Sequence, residues 1–380
     1  MAEEHNKLVW IIAGEASGDA YGAALANALH KREPQLRLRG MGMEKMRAAG
    51  VDIFVDSSEL GIIGIWEAVK HLAFFVKLMK RMVTLAAEER PDTVVMIDYP
   101  GFNLRFAQRL HALGIRVVWY VSPQVWAWKK GRIWKLAKYC DRMLCIFPFE
   151  PECYAPTSLR AQFVGHPLLS MLEPVRQKGI ARDENLVLML PGSRRMELER
   201  LMPVFLQAAC ILHRRNPQLK FEFALPRPAI LELAQGITAK CALGADTPQF
   251  TWSVGVTREH MCAAGAALAA SGTVTVEAAL LGLPVVVAYR LNWLSWLIAK
   301  SLVHLSSITI ANLVCGKTVF EEYLQDACTA EHLASGIEKI IPGGARRTEC
   351  LALLDDFRQR LGSVGDVSEN VATIVLEGLK

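Results

Sequence analysis

Apolar positions in this chain gather in short, nearly continuous runs, separated by longer stretches in which they recur every three or four residues. Leu8–Ala13, Val51–Val55, Thr93–Ile97, Arg116–Val121 and Asp141–Ile146 are runs of the first kind. Such runs predict strands buried on both faces, the condition of a parallel sheet covered by helices. Residues 19–32, 63–89 and 103–113 carry the helical spacing between them. After a weaker, polar segment from Gly165-His166-Pro167 to about residue 184, read as a linker, the alternation restarts. Leu186–Leu190, Lys220–Ala224, Ala266–Ala270 and Pro284–Ala288 read as strands, with helices at 197–215 and 274–281. The pattern predicts an α/β chain of two doubly wound domains, 1–170 and 171–350. Residues 351–380 read as helices expected to pack back on the first domain.

Composition narrows the partners. At 380 residues the chain suits two cores better than one. Its 52 % apolar and 21 % charged residues exclude a disordered chain. A net charge of +5 lacks the excess of a dedicated nucleic-acid binder, so no nucleic acid is expected. Nine cysteines without a C-x-x-C pair argue against a disulfide framework or a zinc site and point to a reducing cytoplasm. The polar start, Met1–Lys7, predicts no secretory leader. The longest charge-free stretch, Met261–Val276, falls short of the ~20 apolar residues that a membrane span needs.

In open parallel sheets ligands bind beyond the carboxyl ends of the strands, so the residues just after each strand are the candidates for chemistry. After the first strand comes Gly14-Glu15-Ala16-Ser17-Gly18-Asp19. Its glycines allow a tight turn, and a helix start offers N–H groups to an anion, with Asp19 placed as an N-cap. A plain capped turn fits as well. Its spacing is not that of the dinucleotide fingerprint G-x-G-x-x-G, which counts against hydride chemistry. Asp98 follows Thr93–Ile97, where partial desolvation would raise its pKa toward that of a general base; a loop-capping Asp is the alternative. Asn103 reads as a helix cap. Pro191-Gly192-Ser193-Arg194-Arg195 opens the helix of the second half, where Arg194 suits either a diphosphate or a local salt bridge. Ser271-Gly272-Thr273 ends a strand and starts a helix. Glu277 lies one turn further on, where a carboxylate accepts hydrogen bonds from two ribose hydroxyls.

These loops resemble, in the same order along the chain, those of the lipid-A-disaccharide synthase family. The resemblance is carried by Gly14–Asp19, the Tyr120-Val121-Ser122-Pro123-Gln124-Val125-Trp126-Ala127-Trp128 stretch, Phe147-Pro148-Phe149-Glu150 and Phe163-Val164-Gly165-His166-Pro167. Leu190-Pro191-Gly192-Ser193-Arg194 and Ser271-Gly272-Thr273 with Glu277 complete it. The resemblance implies a GT-B fold, two Rossmann-like domains facing a cleft, with the nucleotide on the C-terminal domain and the acceptor on the N-terminal one. It implies an inverting transfer from UDP-2,3-diacylglucosamine to 2,3-diacylglucosamine 1-phosphate through a β-1,6 bond, releasing UDP, with no cofactor and no metal. Asp98 takes the place of the family's base. Arg194, Ser271, Gly272, Thr273, Glu277 and Asn312 fall on the UDP-sugar side, and Gly14, Glu15, Ser17 and Gly18 on the acceptor side. Ala311 stands where the family usually has proline before the asparagine, which weakens the assignment of Asn312. The family also forms dimers by exchanging C-terminal segments, so a homodimer is open.

Acylated substrates call for contact with the cytoplasmic face of the inner membrane. Residues 62–83 have an apolar stripe of Ile65, Val69, Leu72, Phe75, Val76, Met79 and Met82. At about 100° per residue Ile63, Phe74 and Leu78 fall instead among Glu67, Lys70, His71, Lys77 and Arg81, the pattern of an interfacial helix. Trp126 and Trp128 beside Lys129 and Lys130 form a second such place, and Trp293 and Trp296 near Lys300 a third. The same features also suit ordinary solvated faces. Two other functions share parts of this pattern. A UDP-GlcNAc 2-epimerase or another GT-B UDP-sugar transferase has a ribose site of the Glu277 type, but an epimerase has no acceptor. A non-catalytic UDP-sugar or lipid-binding protein would tolerate loss of Asp98.

Overall fold

The computed structural model describes residues 7–58, 72–127, 131–244, 246–291, 307–362 and 367–379. The chain forms two compact units, Met1–Pro167 with Gly365–Lys380, and Leu168–Val364. The first holds seven parallel strands: β1 (Leu8–Ala13), β2 (Arg37–Gly42), β3 (Asp52–Asp56), β4 (Thr93–Ile97), β5 (Arg116–Tyr120), β6 (Arg142–Cys145) and β7 (Arg160–Phe163). Their order is β3-β2-β1-β4-β5-β6-β7. The chain winds outward from β1 to β3, then returns to start again at β4 on the other side of β1. That makes the β1/β4 boundary the switch point, with Ala13 paired to Ile97 at its carboxyl end. Trp10, Phe106 and Trp119 are fully buried in the core beneath it.

The second unit repeats the plan with six parallel strands: β8 (Asp183–Leu190), β9 (Lys220–Leu225), β10 (Phe250–Val254), β11 (Ala264–Ala270), β12 (Val285–Tyr289) and β13 (Glu321–Leu324). The order β10-β9-β8-β11-β12-β13 places the switch point between β8 and β11, where Leu190 pairs with Ala269. Both sheets are doubly wound, as the alternation of apolar runs predicts.

Four strands escape the apolar pattern. β7, β10 and β13 are edge strands with partly exposed residues throughout most of their length, so they lack the near-continuous apolar run. β2 is internal, but reads Arg-Leu-Arg-Gly-Met-Gly; Arg39 is accommodated by ion pairs to Asp52 (2.6 Å) and Glu89. The segment expected as a linker contains a helix, Leu168–Arg176, that belongs to the second unit. The C-terminal helices divide. Arg347–Arg360 packs within the second unit, where Cys315 Sγ donates to Leu353 O across 3.8 Å. Val367–Glu377 alone lies in the first. There Lys31 pairs with Glu369 at 3.0 Å, and the Arg116 guanidinium donates to the carbonyls of Ile374 (3.1 Å) and Val375 (3.2 Å).

Two caps and one helix face differ from expectation. The first helix begins at Ala16, so Asp19 lies inside it, buried, and caps another helix: its carboxylate accepts from the backbone N–H of Met43 (2.7 Å), Lys45 (3.0 Å) and Met46 (3.2 Å) at the start of Glu44–Ala48. Asn103 likewise sits within helix Pro100–Ala112, its Nδ2 donating to Asp98 O at 2.8 Å. On helix Leu72–Glu89, Leu78 is buried (7 % exposed), and Val76 is exposed (49 %). The inward stripe runs Leu78, Met82, Ala86 in four-residue steps, because these side chains meet the core cluster of Trp10, Met96 and Phe102. Phe74 is exposed, as the projection has it. Ile63, Trp128, Lys129, Lys130 and the Trp293–Lys300 group lie outside the described residues. No described helix is long and apolar enough to cross a membrane.

Candidate active site

In the first unit the switch point brings together the turns after β1 and β4. Gly14 is buried while Glu15 and Ser17 are exposed. Gly18 lies under the helix start, where a Cβ would stand 3.3 Å from Ala13 Cβ and 3.5 Å from Ile97 Cγ2, so its small size lets the helix sit close on the strand tips. Asp98 and Tyr99 are both left-handed, at φ 47° and 51°, and Val121, just after β5, has φ 70°. These are three of five described non-glycine residues with positive φ, and they occupy adjacent strand tips. Such conformations cost energy and persist where the surroundings hold them. Here Asp98 N donates to Tyr120 O, Val121 N to Leu144 O and the Trp119 indole to Val121 O, all at 3.0 Å. The effect is to fix the Asp98 carboxyl at the rim of the sheet. Burial pushes its pKa up to about 6, and the neighbouring charge of Glu15 adds to the rise.

Glu150, beyond β6, is a second buried carboxyl, pushed up to about 8 mainly by burial although three N–H donors oppose the shift; the charge of Asp98 also raises it. In the sequence Glu150 ends the Phe147-Pro148-Phe149-Glu150 signature, with no signal of a role of its own. Trp126 is half-buried beside it, its indole N–H pointing to Glu150 Oε1 at 3.4 Å.

In the second unit the turns after β8 and β11 meet at the other switch point. Gly192 has φ 111°, and a Cβ there would stand 2.4 Å from Glu197 Oε2. That oxygen accepts the N–H groups of Ser193 (3.0 Å) and Arg194 (3.2 Å), so the turn is closed by its own helix. The exposed Arg194 guanidinium rests on Glu197 Oε1 at 3.2 Å, a weak surface pair that leaves most of its donors to solvent. Ser271 is half-buried and donates its N–H to Ala288 O (3.2 Å), while Gly272 and Thr273 are exposed at the start of helix Thr273–Leu280.

Glu277 is not vacant: Arg258 makes a two-pronged bond to it, Nε to Oε2 and Nη2 to Oε1, both 3.0 Å. No sequence motif marks Arg258, although Gly255 in the turn after β10 places that loop at a strand's carboxyl end. Asn312 is buried, and its amide is engaged on both sides. Nδ2 donates to Phe320 O (2.9 Å) and Glu322 Oε1 (3.0 Å), and Oδ1 accepts from Phe320 N (2.9 Å). Glu322 in turn accepts from Ile308 N (3.0 Å) and from Thr309 N (2.9 Å) and Oγ1 (2.6 Å), fixing the start of helix Ile310–Cys315. Among the described residues no cluster of His, Cys, Asp or Glu is arranged to hold a metal ion.

Two parallel α/β sheets with their turns gathered at the switch points define the architecture of the GT-B glycosyltransferases and of the UDP-GlcNAc 2-epimerases. The chain is similar to the UDP-GlcNAc 2-epimerase of Neisseria meningitidis bound to UDP-GlcNAc (TM-score 0.67, 11 % identity, covering 98 % of this chain and 100 % of that one). It is similar as well to the glycotransferase of kitacinnamycin (TM-score 0.64, 14 % identity, covering 98 % and 99 %). At such identities the likeness concerns the fold. Sequence goes further. The family described as lipid-A-disaccharide synthetase matches residues 9–373, and the lipid-A-disaccharide synthase of Syntrophus aciditrophicus is 38 % identical over 383 residues, 99 % of either chain. The chain belongs to the lipid-A-disaccharide synthetase family, and its activity is that of a glycosyltransferase of lipid A biosynthesis.

Proposed function

We propose that the chain joins UDP-2,3-diacylglucosamine to 2,3-diacylglucosamine 1-phosphate through a β-1,6 bond, with inversion at the anomeric carbon and release of UDP. The observation that carries the mechanism is Asp98: a partly desolvated carboxyl on a strained strand tip, with a pKa near 6. At neutral pH it is ionised yet basic enough to take the proton of an acceptor hydroxyl as that oxygen attacks. The bond from the anomeric carbon to the diphosphate breaks in the same displacement. Negative charge then grows on the departing UDP, and Arg194 with the N–H groups at Gly272 and Thr273 is suited to stabilise it. Glu277 serves the ribose hydroxyls. Gly14, Glu15, Ser17 and Gly18 shape the acceptor side, where Gly18 keeps the helix close and Glu15 tunes Asp98.

The acceptor is a lipid, and the exposed Phe74 and Val76 beside exposed Lys77, Lys80 and Arg81 form a surface suited to an anionic membrane face. Leu78, being buried, has no part in it. On this ground we infer that the enzyme works at the cytoplasmic face of the inner membrane.

The test is UDP release from UDP-2,3-diacylglucosamine with and without 2,3-diacylglucosamine 1-phosphate, in wild type and Asp98→Ala. Acceptor-dependent release that yields a disaccharide phosphate and collapses in the variant is expected. Wild-type turnover that survives the substitution would remove the base, and release without acceptor would remove the transfer.

A further inference from the structure

Glu150 makes more bonds than its local turn requires. It is 1 % exposed, and Oε2 accepts from the backbone N–H of Ile146 (3.1 Å) and Phe147 (3.0 Å), which is sufficient to close the turn after β6. Its other oxygen faces the Trp126 indole N–H at 3.4 Å, in the loop after β5, twenty-four positions away in sequence. A carboxyl buried this deeply is costly unless its oxygens are engaged, so the link to Trp126 helps to fix both loops.

The surroundings of that link are aromatic. Trp126 meets Phe149 edge to face, with ring centroids 5.4 Å apart at 87°. Phe149 stacks parallel to Phe147 at 5.9 Å, and Phe147 lies 5.2 Å from the ring of His166. His166 is buried and its pKa is pushed down to about 3, so the row carries no imidazolium charge at neutral pH. Trp126 and Phe149 are the half-exposed members. The indole has one polar atom, and it is directed at Glu150; what Trp126 can still offer a ligand is hydrocarbon and ring surface. An alkyl chain matches that offer, and the family's lipid A precursors supply one.

We propose that Glu150 is a positioning residue for the acceptor lipid, orienting the Trp126 indole so that Trp126 and Phe149 form a ledge for an acyl chain. The proposal rests on the reading of Trp126 as an acyl contact. Glu150→Gln leaves an oxygen for Ile146 and Phe147 but sets an amide N–H₂ against the indole N–H. Trp126→Phe removes the indole donor and keeps a ring.

The experiment measures kcat/KM for long-chain and short-chain forms of 2,3-diacylglucosamine 1-phosphate, with UDP-2,3-diacylglucosamine as donor, in wild type, both single variants and the double variant. The long-to-short ratio is expected to fall about tenfold in each single variant, within the range that hydrophobic contacts give. The double variant should fall no further, because residues acting through one contact are not additive. An unchanged ratio in Trp126→Phe overturns the proposal, and that arm stands even if Glu150→Gln fails to fold. Equal loss on both chain lengths assigns Glu150 a purely structural role and overturns it too. Additive losses overturn the link between the two residues. Failure of the broader functional reading shows separately, as absent disaccharide formation by the wild type.

Discussion

The ring of Tyr99 rests on the backbone of Gly14, so close that a Cβ at position 14 would stand 2.5 Å from its Cγ and Cδ1 atoms. This contact joins the turns after β1 and β4 at Tyr99, the left-handed residue next to Asp98.

Gly14→Ala therefore must push the Tyr99 ring aside. Overpacking of this kind costs about 1–3 kcal/mol, which denaturant unfolding would read. Turnover should fall well beyond that loss of folded protein, because Asp98 moves with Tyr99. Undiminished turnover in a folded Gly14→Ala variant would show that Asp98 does not depend on this contact.

The pH dependence follows from the raised pKa of Asp98. A base works only when ionised, so kcat/KM should climb as pH rises through about 6 and then level off. Asp98→Asn should cost about 10²–10⁴-fold in kcat and abolish that limb. Glu15→Gln removes a negative neighbour that opposes ionisation of Asp98, so the limb should move to lower pH. A limb unmoved by Glu15→Gln would show that burial alone sets it.

Arg258 holds both oxygens of Glu277. Its removal frees the carboxylate to rotate and leaves an unneutralised negative charge at the ribose site proposed for Glu277. Arg258→Ala should weaken UDP binding by about ten- to a hundredfold, the size of one charge-assisted contact; calorimetric titration with UDP reads it directly. Tighter binding would mean that Arg258 competes with the ribose for Glu277.

Asn312 is engaged by Phe320 and Glu322 on all sides that the fold offers. Asn312→Ala strands a buried backbone N–H and a buried carbonyl, at about 1–3 kcal/mol for each unsatisfied group. The expected result is a clear loss of thermal stability accompanying any change in UDP affinity. Weaker UDP binding at unchanged stability would point to direct contact with the nucleotide.

Strands buried on both faces declared themselves through unbroken apolar runs, as at Leu8–Ala13 and Ala266–Ala270. The edge strands β7, β10 and β13 did not, because half-exposed residues such as Glu321 and Glu322 carry no such run. Residues that follow central strands were legible as site candidates, since the switch point depends only on strand order. Partners distant in sequence were not. Nothing near Asp19 announces that its carboxylate will cap Glu44–Ala48, and nothing near Glu277 announces Arg258. Leu78 failed for a related reason: a helical projection gives relative angles, and only the neighbouring core decides which angle faces inward.

The helix Val367–Glu377 completes the first unit, yet it follows every residue of the second in the chain. During synthesis the second unit, Leu168–Val364, is therefore whole before the helix that lies against Ala16–Arg32 has been made. Until then the buried residues of that helix, Val371, Ala372 and Val375 among them, are missing from the first core. The part of the enzyme that begins first on the ribosome finishes last, and a chain cut short near residue 365 would carry a complete second unit beside an open first one.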